Sequence, residues 1–175
     1  MSQLVVVVVS LVAVIAMMLG ELRLSRAHER ALLARGAVEP PDPAYTAMRW
    51  AYPGAFVAMS LEGLAAPGPP GTAAVAGAAV LVAGKALKYW AIATLGPRWT
   101  YRVLVLPGAP LVRSGPYRLL RHPNYVGVIG EMAGMALLVS APVSGLAGTA
   151  FFALLLWRRI RSEEQAHRTI GRAAL

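Results

Sequence analysis

Two short stretches hold most of the side chains able to do chemistry. The first, residues 107–131, carries Arg113, Tyr117, Arg118, Arg121, His122, Asn124, Tyr125 and Glu131 among turn-forming glycines and prolines. His122 precedes Pro123 and is expected to be extended, while Pro123 suits the first turn of a helix, where a missing N–H costs nothing. That places His122, Asn124, Tyr125 and free backbone N–H groups at a helix start, a natural anion site. A membrane-entry loop with interfacial arginines and a helix-starting proline fits the same spacing equally well. The second stretch, 158–168, reads Arg-Arg-Ile-Arg-Ser-Glu-Glu-Gln-Ala-His-Arg. On a helix Arg159 faces Glu163, Arg161 faces Glu164 and Gln165, and Glu164 reaches Arg168. A salt-bridged helix leaving a membrane would explain this segment too. Yet the whole chain has eight acidic residues, so the adjacent Glu163 and Glu164 stand out.

The elements that must position these groups are apolar. Of 175 residues, 57% are hydrophobic and only 14% charged, and the mean hydropathy is +0.57. Soluble domains are about 45–50% apolar and about 25% charged. Runs near 3–20, 45–65, 72–95, 124–140 and 143–161 approach the roughly 20 residues of a spanning helix. They lack the period-two alternation of barrel strands. The expected fold is an all-α integral membrane protein with five transmembrane helices in one domain. The run 3–20 has no preceding basic residue and no small-x-small site after it, so it reads as a retained helix rather than a signal peptide. Ala66-Pro67-Gly68-Pro69-Pro70-Gly71 reads as a turn and Ser140-Ala141-Pro142-Val143 as a hairpin.

Charge sets the orientation. Fourteen of fifteen arginines fall in 21–44, 96–122 and 158–172, whereas 66–71 and 140–145 carry no charge. Five spans put all three basic segments on one face, expected to be cytoplasmic, with the N-terminus outside the cell (inner) membrane and the C-terminus inside. Tyr45, Trp50, Tyr52, Tyr89, Trp90 and Trp157 all fall toward that inner interface. The net charge of +9 has no soluble basic domain to carry it, so nucleic acid is not an expected partner. The absence of cysteine excludes thiol nucleophiles and Cys-ligated metals, and three scattered histidines leave no metal site expected.

Ionisable groups within spans are candidates for function. Lys85 and Lys88 share a helix face; Lys88 is near enough to the interface to snorkel, and Lys85 is deeper. Glu62 lies near the uncharged end, within reach of water. Glu131 needs a partner, expected to be a cation on a neighbouring helix. Gly77, Gly84, Gly127, Gly130 and Gly134 suit close helix packing, with room for a ligand as the alternative.

Gly115-Pro116-Tyr117-Arg118-x-x-Arg121-His122-Pro123-x-Tyr125-x-Gly127, followed by Arg159-x-Arg161-x-Glu163-Glu164, resembles the isoprenylcysteine carboxyl methyltransferase family of membrane enzymes. The related phospholipid methyltransferases share a weaker version. Glu21-x-Arg23, His28-Glu29, Leu32-Leu33-Ala34-Arg35-Gly36-Ala37-x-Glu39 and the run from Trp90 to Thr100 resemble a bacterial branch associated with O-methylation of alkylpyrones or alkylresorcinols. The resemblance implies S-adenosyl-L-methionine as methyl donor, becoming S-adenosyl-L-homocysteine. It implies a cytoplasmic cofactor pocket built from the C-terminal loop and helix hairpin, with 107–168 as the cofactor-binding and catalytic portion. Cofactor contacts are implied for Leu111, Val112, Gly115, Tyr117, His122, Pro123, Tyr125 and Glu164. Arg159 and Glu163 are implied at the reacting centre: Arg159 orients a carboxylate or phenolate, and Glu163 holds Arg159 or takes a phenol's proton. The implied acceptor is a lipophilic molecule, a phenol or pyrone ahead of a prenylcysteine carboxylate. No segment identifiable as reading a prenylcysteine is present. The alternatives are a phospholipid N-methyltransferase and a non-catalytic small membrane or transport protein.

Overall fold

The computed structural model describes residues 2–66, 68 and 71–170. Five helices follow one another: α1 (Gln3–Ala34), α2 (Pro43–Ala65), α3 (Gly71–Leu95), α4 (Pro123–Leu138) and α5 (Pro142–Ile170). Two short 3-10 turns, Gly96–Arg98 and Gly115–Arg118, punctuate the long connection between α3 and α4. Among the described residues the one extended pairing is an isolated antiparallel bridge between Val38 and Val105. Pro67, Pro69 and Pro70 of the expected first turn, and the side chain of His167, lie outside the described residues.

The helix boundaries follow local chemistry. Ser2 caps α1, its Oγ accepting from the Val5 N–H. α1 ends where Gly36 turns left-handed at φ 83°, and the Ala37 N–H reaches back to the Leu32 carbonyl at 3.0 Å, a glycine-dependent stop. Proline occupies the start of α2, α4 and α5, where its fixed φ suits the first turn. Ser140, at φ 58°, makes the hairpin between α4 and α5.

Two expected bounds are corrected. α1 continues fourteen residues past Gly20, and α5 nine past Arg161. Their charged ends stay helical because one face is held by tertiary contacts: Glu21, Ser25, Glu29 and Leu32 of α1 are all buried. Three helical segments are long and apolar enough to cross a membrane, Gln3–Ala34, Gly71–Arg98 and Pro142–Ala166. α4, with 16 residues, is about 24 Å long at about 1.5 Å per residue.

The tightest interface joins α3 to α4 along the glycine faces. A Cβ on Gly84 would sit 2.7 Å from the Glu131 amide nitrogen and 2.8 Å from the Gly127 carbonyl; one on Gly127 would meet the Gly84 carbonyl at 2.7 Å. Close packing, not ligand space, is therefore what these glycines provide. Backbone contact at this seam brings Glu131 between two lysines. Lys85 Nζ lies 2.7 Å from Glu131 and 3.3 Å from Glu21, and Lys88 Nζ lies 2.6 Å from Glu21 and 3.6 Å from Glu131. The Tyr52 hydroxyl donates to Glu131 at 2.6 Å and the Tyr101 hydroxyl to Glu21 at 2.8 Å.

This quartet has no net charge and joins α1, α3 and α4, with α2 and the α3–α4 connection attached through the two tyrosines. It supplies Glu131 with the expected cations. It also corrects two readings. Lys88 does not snorkel, being 1% exposed, because its Nζ is ion-paired with Glu21 at 2.6 Å. Tyr52 is not an interfacial ring, because its hydroxyl is spent on a buried acid. At the far end Glu62 does not simply reach water. It accepts from the Val143 N–H at 3.0 Å and the Ser144 N–H at 2.6 Å, capping α5 across the hairpin.

Leaving one member of a buried ion cluster unmatched costs about 3–5 kcal/mol, whereas removing a matched pair costs far less. Glu131→Ala should therefore destabilise strongly in denaturant unfolding in detergent, and Lys85→Met/Glu131→Met should unfold nearer the wild type than Glu131→Ala does.

Candidate active site

The three arginine-rich segments meet at one end of the bundle. α1 carries the first of them to the α3–α4 connection. His28 Nδ1–H donates to the Trp99 carbonyl at 2.9 Å, the Tyr101 N–H donates to Ser25 Oγ at 2.7 Å, and Ser25 in turn donates to Glu29 at 2.6 Å. Arg102 pairs with Glu39, which raises the Arg102 guanidinium above its ordinary value through that hydrogen bond. Farther along, Arg98 holds the Pro110 carbonyl at 2.6 Å. The left-handed Gly115 (φ 53°) seats the second 3-10 turn on α3, where a Cβ would sit 3.2 Å from Trp90 Nε1.

These contacts frame a cavity of about 1320 Å³. Part of its lining is apolar, from Ile15, Met18, Leu19 and Leu22 of α1, Met48 and Pro53 of α2, and Phe152 and Leu156 of α5. The polar part comes from Arg113, Tyr117, Arg121, His122, Asn124, Tyr125, Arg159, Glu163 and Glu164. The α4–α5 hairpin is what joins the two chemical stretches, since the Tyr125 hydroxyl donates to Glu163 at 2.8 Å. The His122 ring stacks on Tyr125, with centroids 5.5 Å apart and planes 11° apart.

Arg159 is 6% exposed and has three partners on three elements. Its Nε–H donates to the Tyr125 hydroxyl at 3.0 Å, an Nη–H donates to the Tyr101 carbonyl, and the other Nη lies 3.3 Å from Asp42. The i,i+4 spacing predicts an Arg159–Glu163 pair; Asp42 takes the arginine instead, leaving Glu163 to Tyr125. Arg161 turns to the ring of Trp157, at 3.8 Å from its centroid. Glu164 lies 3.6 Å from both Arg121 and His122, and 3.9 Å from Arg168. These distances exceed hydrogen-bond range.

His122 Nε2 and Asn124 Oδ1 are buried on the cavity without a hydrogen-bond partner among the described residues, as is Lys88 Nζ, which is instead ion-paired with Glu21 at 2.6 Å. Folded proteins rarely leave such atoms unmatched. Tyr117 is held above the ordinary phenol value by burial and by the charge of Glu163. Tyr101 is raised by burial and then by Glu21. Both therefore remain neutral hydrogen-bond donors at physiological pH.

The comparisons with known proteins bear on this site. The sequence model of the isoprenylcysteine carboxyl methyltransferase (ICMT) family matches residues 77–168, over half the chain. The chain belongs to the isoprenylcysteine carboxyl methyltransferase family. Membership makes it a membrane methyltransferase. It is 34% identical over 146 residues to the uncharacterized protein YpbQ of Bacillus subtilis, covering 83% of this chain and 87% of that one. An uncharacterized protein of Haemophilus influenzae is 28% identical over 90% of this chain and 92% of its own. Protein-S-isoprenylcysteine O-methyltransferase A of Arabidopsis thaliana is 32% identical over 84 residues, 47% of this chain and 41% of the plant protein. No solved structure matches the chain significantly.

Of the residues that the ICMT motifs single out, Leu111, Val112, Tyr117, His122, Tyr125, Arg159, Glu163 and Glu164 line the cavity. Gly115 and Pro123 are not part of its lining; they shape the backbone that presents their neighbours. Sequence reasoning missed Asp42 and Tyr101 as partners of Arg159. It placed Asn124 at the helix start without assigning it a role. Asp42 left a signal, as an acid before Pro43 and therefore a ready helix cap, but its partner lies over a hundred residues away.

Above pH 10, the ordinary tyrosine value, the unfolded chain releases a proton that folded Tyr101 keeps. The unfolded state then binds fewer protons, so stability falls as pH rises. Thermal unfolding should show a shallower decline above pH 10 for Tyr101→Phe than for the wild type.

Proposed function

We propose that this protein transfers a methyl group from S-adenosyl-L-methionine to an oxygen of a lipophilic acceptor. The observation that carries the reading is the pair of unmatched buried atoms, His122 Nε2 and Asn124 Oδ1. They lie on the same cavity as Arg159, Glu163 and an apolar wall from three helices. A zwitterionic nucleoside sulfonium needs such a mixture: donors for its carboxylate, acceptors for its ammonium and ribose, and a flat wall for its base. His122, Asn124 and Glu164 fit the polar groups, and the stacked His122–Tyr125 pair, with Leu111, Val112 and Tyr117, fits the flat one. Gly115 and Pro123 hold that wall in place from behind. Residues 107–168 form the cofactor-binding and catalytic portion of a single membrane domain.

When bound, the cofactor supplies an electrophilic methyl group and a thioether leaving group. Arg159 orients the acceptor oxygen, and the neighbouring side chains exclude water, so that the new C–O bond forms in line as the S–C bond breaks. For a carboxylate acceptor no base is needed. For a phenol or enol, with an ordinary pKa near about 10, Glu163 takes the departing proton. The cavity is larger than the about 300–1,000 Å³ that holds one drug-sized ligand, which leaves room for an acceptor beside the cofactor. The apolar lining from α1, α2 and α5 suits a long hydrocarbon tail drawn from the bilayer, and membrane lipids surround the bundle.

All five helices serve as spans, the short α4 shielded by its neighbours. The N-terminus then lies outside the cell membrane, while the basic end and the C-terminus face the cytoplasm, where the positive-inside rule places arginines.

Calorimetry with S-adenosyl-L-homocysteine, paired with a methyl-labelled transfer assay on alkylated phenols, prenylcysteines and extracted lipids, tests this. His122→Ala should weaken S-adenosyl-L-homocysteine binding about tenfold or more, the size of one buried hydrogen bond to a charged group. Arg159→Ala should keep that affinity and lower turnover about a hundredfold. No affinity in the wild type, or label appearing only on an amine headgroup, would overturn the reading.

A further inference from the structure

Asp42 is the charged partner of Arg159, yet it is absent from the cavity lining. It sits at the cap position of α2, with a side chain 6% exposed. Its two oxygens do separate work. Oδ1 accepts from the Ala44 N–H at 3.2 Å, and Oδ2 faces an Nη of Arg159 at 3.3 Å.

A guanidinium has five N–H donors. The Tyr125 hydroxyl and the Tyr101 carbonyl use one each, while Asp42 Oδ2 is an ion-pair partner at 3.3 Å that accepts no hydrogen bond. Three N–H groups on the two terminal nitrogens are left for a ligand. Of the three partners, only Asp42 is charged, and it has a competitor. Glu163 lies one turn further along α5, at the spacing where arginine and glutamate pair on a helix. It is held instead by the Tyr125 hydroxyl.

We propose that Asp42 is a positioning residue for methyl transfer: it keeps the Arg159 guanidinium from closing onto Glu163, so that both side chains face the acceptor separately. The inference rests on the oxygen-methyltransferase reading above. Without the Asp42 charge, Arg159 turns toward Glu163, its spare N–H groups leave the acceptor oxygen, and the glutamate is occupied. Turnover then falls while cofactor binding, which uses other residues, is kept.

The test is Asp42→Asn in the full chain in detergent or lipid vesicles. Asparagine caps a helix as well as aspartate does, so the change removes the charge and keeps the cap. The probes are S-adenosyl-L-homocysteine for binding and methyl-labelled S-adenosyl-L-methionine with whichever of an alkylated phenol or a prenylcysteine the wild type methylates. The expected result is a Kd within about twofold of wild type, kcat lowered about tenfold or more, and a smaller change in acceptor KM. Asp42→Glu, which restores the charge, should recover part of the lost turnover.

A D42N turnover within about threefold of wild type overturns the proposal. So does a joint loss of binding and turnover that D42E does not relieve, because the residue then only supports the fold. A wild type that binds no S-adenosyl-L-homocysteine and transfers no methyl group overturns the broader reading and this one together; normal wild-type transfer with an unaffected D42N overturns this one alone.

Discussion

Charge neutrality in a place without water is the condition the rest of the structure meets. Glu21, Lys85, Lys88 and Glu131 are each under a tenth exposed. Any one alone would carry a desolvation cost of several kcal/mol. Together they cancel, and the hydroxyls of Tyr52 and Tyr101 occupy further lone pairs of the two acids. The cluster needs α3 and α4 closer than side chains normally allow, and the glycines at 84 and 127 permit that approach. A bundle whose interior faces are mostly Ala, Val, Met and Leu gains little from hydrophobic sorting inside lipid. Matched charges and close glycine contact supply the specificity that greasy packing does not.

From that centre, order passes outward through hydrogen bonds rather than through a sheet or disulfide. Tyr101 joins the two halves of the system: its hydroxyl serves Glu21, its amide binds Ser25, and its carbonyl receives Arg159. The charged half of α1 thereby acts as a splint for the connection between α3 and α4. The Val38–Val105 bridge and the Arg102–Glu39 pair extend the same splint. This gives a physical reason for α1 to run far past the apolar segment that makes it membrane-compatible. It also explains why a loop rich in glycine and proline can present a defined cavity wall.

The residues of the cavity divide by what they give up to the protein. Arg159 and Tyr125 are heavily committed, each with partners on other elements, and their positions are accordingly set. His122 Nε2 and Asn124 Oδ1 are uncommitted although buried. Glu164 sits amid Arg121, His122 and Arg168, none within hydrogen-bond range. Fixed orienting groups beside unspent polar atoms are the arrangement a transferase needs, since a pocket that satisfied all its own polar atoms would have nothing to offer a zwitterionic ligand.

Much of this was legible in the chain itself. Apolar runs, proline starts and the absence of charge in two connections mark the five helices, because burying or immersing a helix constrains every residue along it. The motif from Gly115 to Gly127 and the acid pair at Glu163 and Glu164 mark the site, because their chemistry is local to a few turns. The need of Glu131 for a cation also follows from composition, since a lone carboxylate cannot stay in hydrocarbon. Which cation, and which carboxylate takes Arg159, does not follow. Helical spacing pairs Arg159 with Glu163, one turn away, but Asp42 wins from 117 positions earlier because the fold delivers the start of α2 to the flank of α5. The length of the apolar runs likewise ended α1 and α5 too early, since their last turns are held by partners on other elements. Composition and local stereochemistry wrote the helices; which distant charges meet was decided only when the glycine seam closed and left each buried ion one place to be neutral.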